Sequence, residues 1–181
     1  MKLNSKQLRT LENGEVDTSH LKKNDIYIIL DDILDTYNIG SVFRLADAVA
    51  AKKVLLCRGS ETPPNHRIKK ASINTTEIVE WEYFEDTKDA IKSLREKVPN
   101  IKIIAVELDD RSVPYDTDEY NLPVAVIVGH ETTGVSEDVL KLCDAIVEMP
   151  MFGINISMNV MVSLAIVLFQ IIENQKITPN K

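Results

Sequence analysis

Apolar residues fall into short continuous runs, and these alternate with stretches of helical period. Ile26–Leu30, Lys53–Cys57, Ile78–Phe84, Ile101–Val106, Val124–Val128 and Ala145–Met149 have the length and content of strands, several of them covered on both faces. Between them, Ser41–Ala51 places Val42, Leu45, Ala46 and Val49 on one helical face, and Thr87–Val98 is amphipathic. Ser136 is placed to cap a short helix, with Glu137 and Asp138 in its favourable first turn. Ile156–Glu173 reads as a long, almost wholly apolar helix, while Asp31–Asn38 and Arg58–Arg67 read as loops. Residues 1–24 are polar and predict an arm with a short helix near Ser5–Leu11; residues 25–175 predict one domain, and 176–181 a tail. Strand and helix alternate throughout, which predicts an α/β fold: an open parallel sheet with helices on both faces. Ligands of such sheets lie in the loops after the carboxyl ends of the strands.

Composition narrows the class. With 181 residues and 44% hydrophobic content the chain is long enough for one substantial core. No apolar run reaches the ~18 residues of a membrane span, and Met1–Lys6 lacks the apolar stretch of a secretory signal. Two cysteines, Cys57 and Cys143, form neither a disulfide framework nor a metal set, so a cytoplasmic location is expected. His20, His66 and His130 have no metal-ligand spacing, and no metal is expected. The net charge is −7, but residues 1–70 hold 12 Lys/Arg against 9 Asp/Glu, so a polyanion would meet that part first.

Three segments are rich in glycine and small polar residues. In Asn38-Ile-Gly40-Ser41-Val-Phe-Arg44, Gly40 is expected to turn the chain into the helix, Ser41 or Asn38 to cap it, and Arg44 to reach back toward an anion at the helix start. The plainer alternative is a capped helix with Arg44 paired to Asp47 or Asp31. Gly129-His-Glu131-Thr-Thr-Gly134 directly follows a strand, and its glycines permit close backbone approach to a ligand, or simply a tight turn with a surface Glu131. Met149-Pro-Met151-Phe-Gly153-Ile-Asn155-Ile-Ser157-Met158-Asn159 feeds the apolar helix and offers three capping candidates, more than capping needs. Around Pro63-Pro64, Arg58, Arg67, Lys69 and Lys70 form a basic cluster, read as a solvated loop or as phosphate contacts.

In order and spacing, Asn38-x-Gly40-x-x-x-Arg44, Gly129-x-Glu131-x-x-Gly134 and Pro150-Met151-x-Gly153-x-x-x-Ser157-Met158-Asn159-Val160 resemble the three motifs of the SpoU (TrmH-like) RNA 2′-O-ribose methyltransferases of the SPOUT superfamily. The resemblance spans about residues 25–173. It implies a Rossmann-like parallel sheet with a C-terminal deep trefoil knot, a homodimer, and S-adenosyl-L-methionine as cofactor. It places Val106, Glu107, Gly129, Gly134, Met149, Met151, Ser157 and Met158 at the cofactor, with Met158 standing where leucine is usual. It assigns Arg44, Asn38, Glu131, Ser157 and Asn159 to catalysis: it casts Arg44 as activator of the ribose hydroxyl, which we read as electrostatic stabilisation of the developing alkoxide and a phosphate clamp rather than proton abstraction, with Asn38 placing the ribose and the others orienting loops and substrate. The substrate implied is tRNA or rRNA, with a non-catalytic knotted relative that binds RNA or protein as the alternative. No separate RNA-binding extension is expected, since about 24 residues precede the first strand and about eight follow the last helix. RNA contact is therefore expected at Lys2, Lys6, Arg9, Lys22, Lys23, Arg58, Arg67, Lys69 and Lys70. Apolar residues all around the last helix call for a second burial surface, which a partner subunit would supply.

Overall fold

The structure, a computed structural model, describes residues 3–10 and 21–180. Lys2, His20 and the end of the expected arm helix at Leu11 lie outside the described residues. The elements run α1 (Ser5–Arg9), β1 (Asn24–Asp31), α2 (Thr36–Ala48), β2 (Ala51–Cys57), α3 (His66–Ser72), a 3-10 turn (Thr75–Glu77), β3 (Trp81–Phe84), α4 (Thr87–Lys97), β4 (Lys102–Val106), β5 (Val113–Pro114), β6 (Val124–Gly129), α5 (Glu137–Leu140), β7 (Ala145–Glu148) and α6 (Val160–Asn174). The seven strands form one sheet in the order β3-β2-β1-β6-β4-β7-β5, and every pairing is parallel.

Two cores sit on the two faces of the sheet, as the alternation of elements predicts. Ile26, Ile28 and Leu30 of β1 and Val124, Val126 and Val128 of β6 face α2 and α6, packing with Phe43, Leu164, Val167 and Leu168. The intervening Tyr27, Ile29, Ala125 and Ile127 face α4 and α5, packing with Ile91, Leu94, Val139 and Leu140. The period of two along each strand thus feeds both layers. Among the described residues no helix is long and apolar enough to cross a membrane.

Several expected boundaries move. The helix expected over Ser41–Ala51 begins at Thr36, because the Asp35 side chain accepts from the Tyr37 N–H and caps it. Gly40 is therefore inside the helix rather than at a turn. Its missing side chain serves packing: a Cβ there would lie 2.5 Å from Ala71 Cβ and 2.7 Å from the Ile68 carbonyl oxygen, so α3 crosses α2 at this point. The segment expected as a loop up to Arg67 yields at His66 to α3, capped by Asn65. The strand expected from Ile78 begins only at Trp81, after the 3-10 turn. The last helix starts at Val160, with Asn159 as its cap, so Ser157 stays in the preceding loop.

Candidate active site

Strand register lines up the carboxyl edge of the sheet. Asp31 pairs with Gly129, Ala105 with Ile127, and Val106 with Val147. One step further along these parallel strands, Glu107, Gly129 and Glu148 lie at one level, next to Asp31. The loops after β1, β4, β6 and β7 all emerge here, which is where α/β sheets bind ligands.

Three of the expected catalytic residues meet across these loops. Asn38 is buried in the first turn of α2. Its Nδ2 donates to Glu131 Oε1 at 3.1 Å, and its Oδ1 accepts from Asn159 Nδ2 at 3.2 Å. Glu131 also accepts from the Asp35 N–H at 3.1 Å and the Leu34 N–H at 3.4 Å, and Asn159 Oδ1 accepts from the Met161 N–H at 3.0 Å. Partial burial pushes the Glu131 carboxyl upward, but the hydrogen bonds from Asn38 and the backbone N–H groups outweigh it and hold the acid below its ordinary value. It is therefore ionised at neutral pH. The chain Glu131–Asn38–Asn159 joins the loops after β1, β6 and β7, and leaves Asn38 one N–H and one lone pair for a ligand.

Arg44 and Ser157 lie outside that chain. Arg44 is exposed on α2, and among the described residues it makes no ion pair or hydrogen bond; the pairing with Asp47 or Asp31 does not form. It stands about two turns along the helix rather than one, because α2 starts earlier. Ser157 is exposed, and its N–H donates to Asn155 Oδ1 at 3.3 Å.

The expected cofactor residues line the neighbouring edge. Glu107 Oε2 accepts from the Val135 N–H at 2.7 Å and Oε1 from the Leu108 N–H at 3.0 Å, which clamps the Gly129–Gly134 loop onto β4. Gly134 has φ +69°, and a Cβ there would lie 2.2 Å from Glu107 Oε2. A Cβ at Gly129 would lie 2.2 Å from both the Gly134 carbonyl carbon and the Val135 nitrogen. The close approach that Gly129 permits is thus, first, that of its own loop. Val106 and Met149 are half-buried and pack on the α2/α6 core, and Met151 is half-buried. Met158 is exposed.

The basic cluster divides. Arg67, Lys69 and Lys70 are exposed on α3, whereas Arg58 Nη1 sits 3.5 Å from Asp31 Oδ1. Asp31 is fully buried and also accepts from Thr87 Oγ1 at 2.5 Å and from the Ser136 N–H and Oγ at 3.1 and 3.3 Å. Ser136 thus spends its hydroxyl on Asp31 and makes no side-chain cap on α5. Sequence reasoning missed Asp31 as a hub, although a lone carboxylate ending an apolar strand was a usable signal. Burial pushes the thiols of Cys57 and Cys143 up to about 12, so neither is a thiolate nucleophile at neutral pH.

Residues 25–169 match the SpoU rRNA Methylase family. A tRNA (guanosine(18)-2′-O)-methyltransferase of Aquifex aeolicus is 27% identical over 153 residues, covering 82% of this chain and 69% of the relative. The 23S rRNA (guanosine-2′-O-)-methyltransferase RlmB of Neisseria meningitidis serogroup B is 29% identical over 165 residues, covering 87% of this chain and 64% of the relative. The chain thus spans about two thirds of the length of these relatives. Among solved structures, an AdoMet-bound rRNA methyltransferase from Sinorhizobium meliloti superposes with a TM-score of 0.78 at 23% identity, over 95% of this chain and 61% of that one. The match runs from β1 into α6 and takes in all three motif loops; the chain belongs to the SpoU rRNA methylase family.

Proposed function

We infer that this protein is an S-adenosylmethionine-dependent methyltransferase acting on a ribose 2′-hydroxyl of tRNA or rRNA. The observation that carries the reading is the Glu131–Asn38–Asn159 chain, which binds three separated motif loops into one site at the carboxyl edge of the sheet. The names of the relatives support the reaction and the substrate class.

The residues suit the cofactor. Among the described residues none hydrogen-bonds to the backbone of residues 150–156, which leaves those carbonyls and, beyond Pro150, the N–H groups available to a nucleoside. Exposed Leu108 and half-buried Met149 lie just past the ends of the paired strands β4 and β7, and offer apolar surface for a flat base. Ionised Glu131 suits a nearby positive centre. Val106, Glu107, Gly129, Gly134, Met149, Met151, Ser157 and Met158 would hold the group. When bound, S-adenosylmethionine supplies an activated methyl on a sulfonium.

A ribose hydroxyl is a weak nucleophile at neutral pH, and its attack develops alkoxide character. An arginine side chain is a poor general base, so Arg44 acts by stabilising that charge rather than by taking the proton. The proton leaves to a substrate phosphate or to water. Asn38 offers its remaining N–H and lone pair to the ribose, while Glu131 and Asn159 fix its orientation from either side. Ser157, whose hydroxyl has no partner among the described residues, contacts substrate or cofactor.

The finer architecture belongs to the same reading. A C-terminal trefoil knot is supported by the late strand β6 lying between β1 and β4 and by α6 returning onto α2. A homodimer is supported by exposed Val162 and Phe169 on α6 and by the protruding Phe152, Ile154 and Ile156. A cytoplasmic location belongs to the same reading, in keeping with bacterial relatives named for modifying tRNA and rRNA.

Calorimetry with S-adenosylhomocysteine, followed by methylation mapping on total RNA from a strain lacking the protein, tests the reading. Micromolar binding and restoration of one 2′-O-methyl mark are expected. No binding at millimolar concentration would instead favour a non-catalytic RNA- or protein-binding relative.

A further inference from the structure

Tyr37 lies beside the buried Asn38, at the rim of the site, and is 54% exposed. Its N–H donates to Asp35 Oδ1 at 2.7 Å; among the described residues its ring and hydroxyl have no hydrogen-bond partner. Leu34, on the same rim, is 51% exposed. Helix formation does not explain the ring, since tyrosine is a poorer helix former than alanine or glutamine. Burial does not explain it either.

The position of Tyr37 on α2 does suggest a use. Tyr37, Ser41 and Arg44 are spaced i, i+4, i+7, so they form one stripe on the outer face of α2. Seven residues at 1.5 Å each set the two ends of the stripe roughly 10 Å apart. An aromatic ring at one end and an unpaired guanidinium at the other form an elongated surface, apolar then cationic. α3 crosses α2 at the buried Gly40, alongside this stripe, and carries exposed Arg67, Lys69 and Lys70. A flat apolar platform beside cations fits a nucleotide whose base is free of its own stack, because aromatic side chains bind the π-face and cations the backbone.

We propose that Tyr37 is a stacking platform for an unpaired base of the RNA substrate, next to the nucleotide whose ribose Asn38 positions and whose developing charge Arg44 meets. The proposal rests on the RNA-substrate reading above. It makes the preferred substrate a loop or single strand rather than a continuous duplex, and makes Tyr37 a binding residue, not a catalytic one.

The test uses a short single-stranded RNA carrying 2-aminopurine, the same RNA annealed to its complement, and unmodified total RNA, both tRNA and rRNA, from a strain lacking the protein. The parent protein should quench 2-aminopurine in the single strand and not in the duplex. Tyr37→Ala should lose the quench and raise the KM for RNA about tenfold, with turnover at saturating RNA unchanged. Tyr37→Phe and Tyr37→Trp should keep both within about twofold, since the ring alone is required. Affinity for S-adenosylhomocysteine and molecular mass in solution should not change in any variant. Tyr37→Ala retaining the quench and the parent KM would overturn the proposal, as would Tyr37→Phe failing like Ala. A fall in molecular mass with RNA affinity intact would also overturn it, showing that the ring serves a subunit contact. A parent protein that quenches the single strand yet transfers no methyl group would leave the platform standing and refute the methyltransferase reading.

Discussion

Arg44 is exposed and unpaired among the described residues, so its replacement removes no observed fold contact. Arg44→Ala should therefore keep the parent melting temperature and the parent affinity for S-adenosylhomocysteine, while single-turnover methylation falls by ~10²–10³. Arg44→Lys should recover little, because a point charge does not reproduce the guanidinium fork. Methyl transfer at the parent rate by Arg44→Ala would remove the arginine from the mechanism. Glu131 is the opposite case, a charge whose partners belong to the fold. Its acid is held below the ordinary 4.5, so its stabilisation is present above that pH and is lost as pH falls through the lower folded value. Glu131→Gln should melt below the parent at neutral pH, and the gap should close on acidification well below pH 4.5. A gap that is constant from about pH 7 to about pH 3 would show that the carboxylate charge contributes nothing.

Between elements, the α2–α3 crossing is a close contact that the sequence conceals. A glycine inside a helix costs about 1 kcal/mol against alanine, so Gly40→Ala would be stabilising on propensity alone. Here the new Cβ meets Ala71 Cβ at 2.5 Å and backbone atoms of α3 at 2.7 and 2.9 Å, so α3 must move. We expect net destabilisation of about 1–3 kcal/mol by thermal or denaturant unfolding, partly relieved by Ala71→Gly and not abolished, because the Ile68 carbonyl remains in the way. The same contact shows what was legible. Apolar runs and their spacing were enough for six of the seven strands and for the long helices, since both sheet faces are buried and periodicity reports burial. α3 was hidden because His66–Ser72 is mostly polar and buries only Ile68 and Ser72. β5 was hidden because two exposed residues, Val113 and Pro114, carry no pattern. At the site, the motifs named the Asn38, Glu131 and Asn159 that meet, but residue types alone could not separate them from Ser157, which does not join them. Gly40 and Gly129 were read as making room for a turn and a ligand, whereas each first makes room for another part of the chain.

For the whole molecule, α6 buries Leu164, Val167, Leu168 and Ile171 but leaves Phe169 about half exposed, so its outer face is where a second subunit would pack. Light scattering at micromolar concentration should give a dimer for the parent and a monomer for Phe169→Glu, with the circular dichroism spectrum unchanged. A monomeric parent would remove the dimer from the account. The strand order has a different consequence, for synthesis. β1 is complete by residue 31, but its neighbour on one side, β6, begins at residue 124, and β4 must wait for the same strand. A chain emerging from the ribosome therefore carries a β3-β2-β1 half-sheet with an open hydrogen-bonding edge over some ninety residues of elongation, joined for the last twenty or so by an unpaired β4. β6 is buried along its whole length, Val124 to Gly129, and its insertion covers the open edge of β1 and one edge of β4 in one event, leaving the other edge of β4 to β7. A chain released just short of residue 124 should collect in the insoluble fraction, and one released after α6 should not. The strand that fixes Gly129 in the site is also the plank that joins the two sides of the sheet, and until it is laid the edge of β1 stands open to pairing with a stranger.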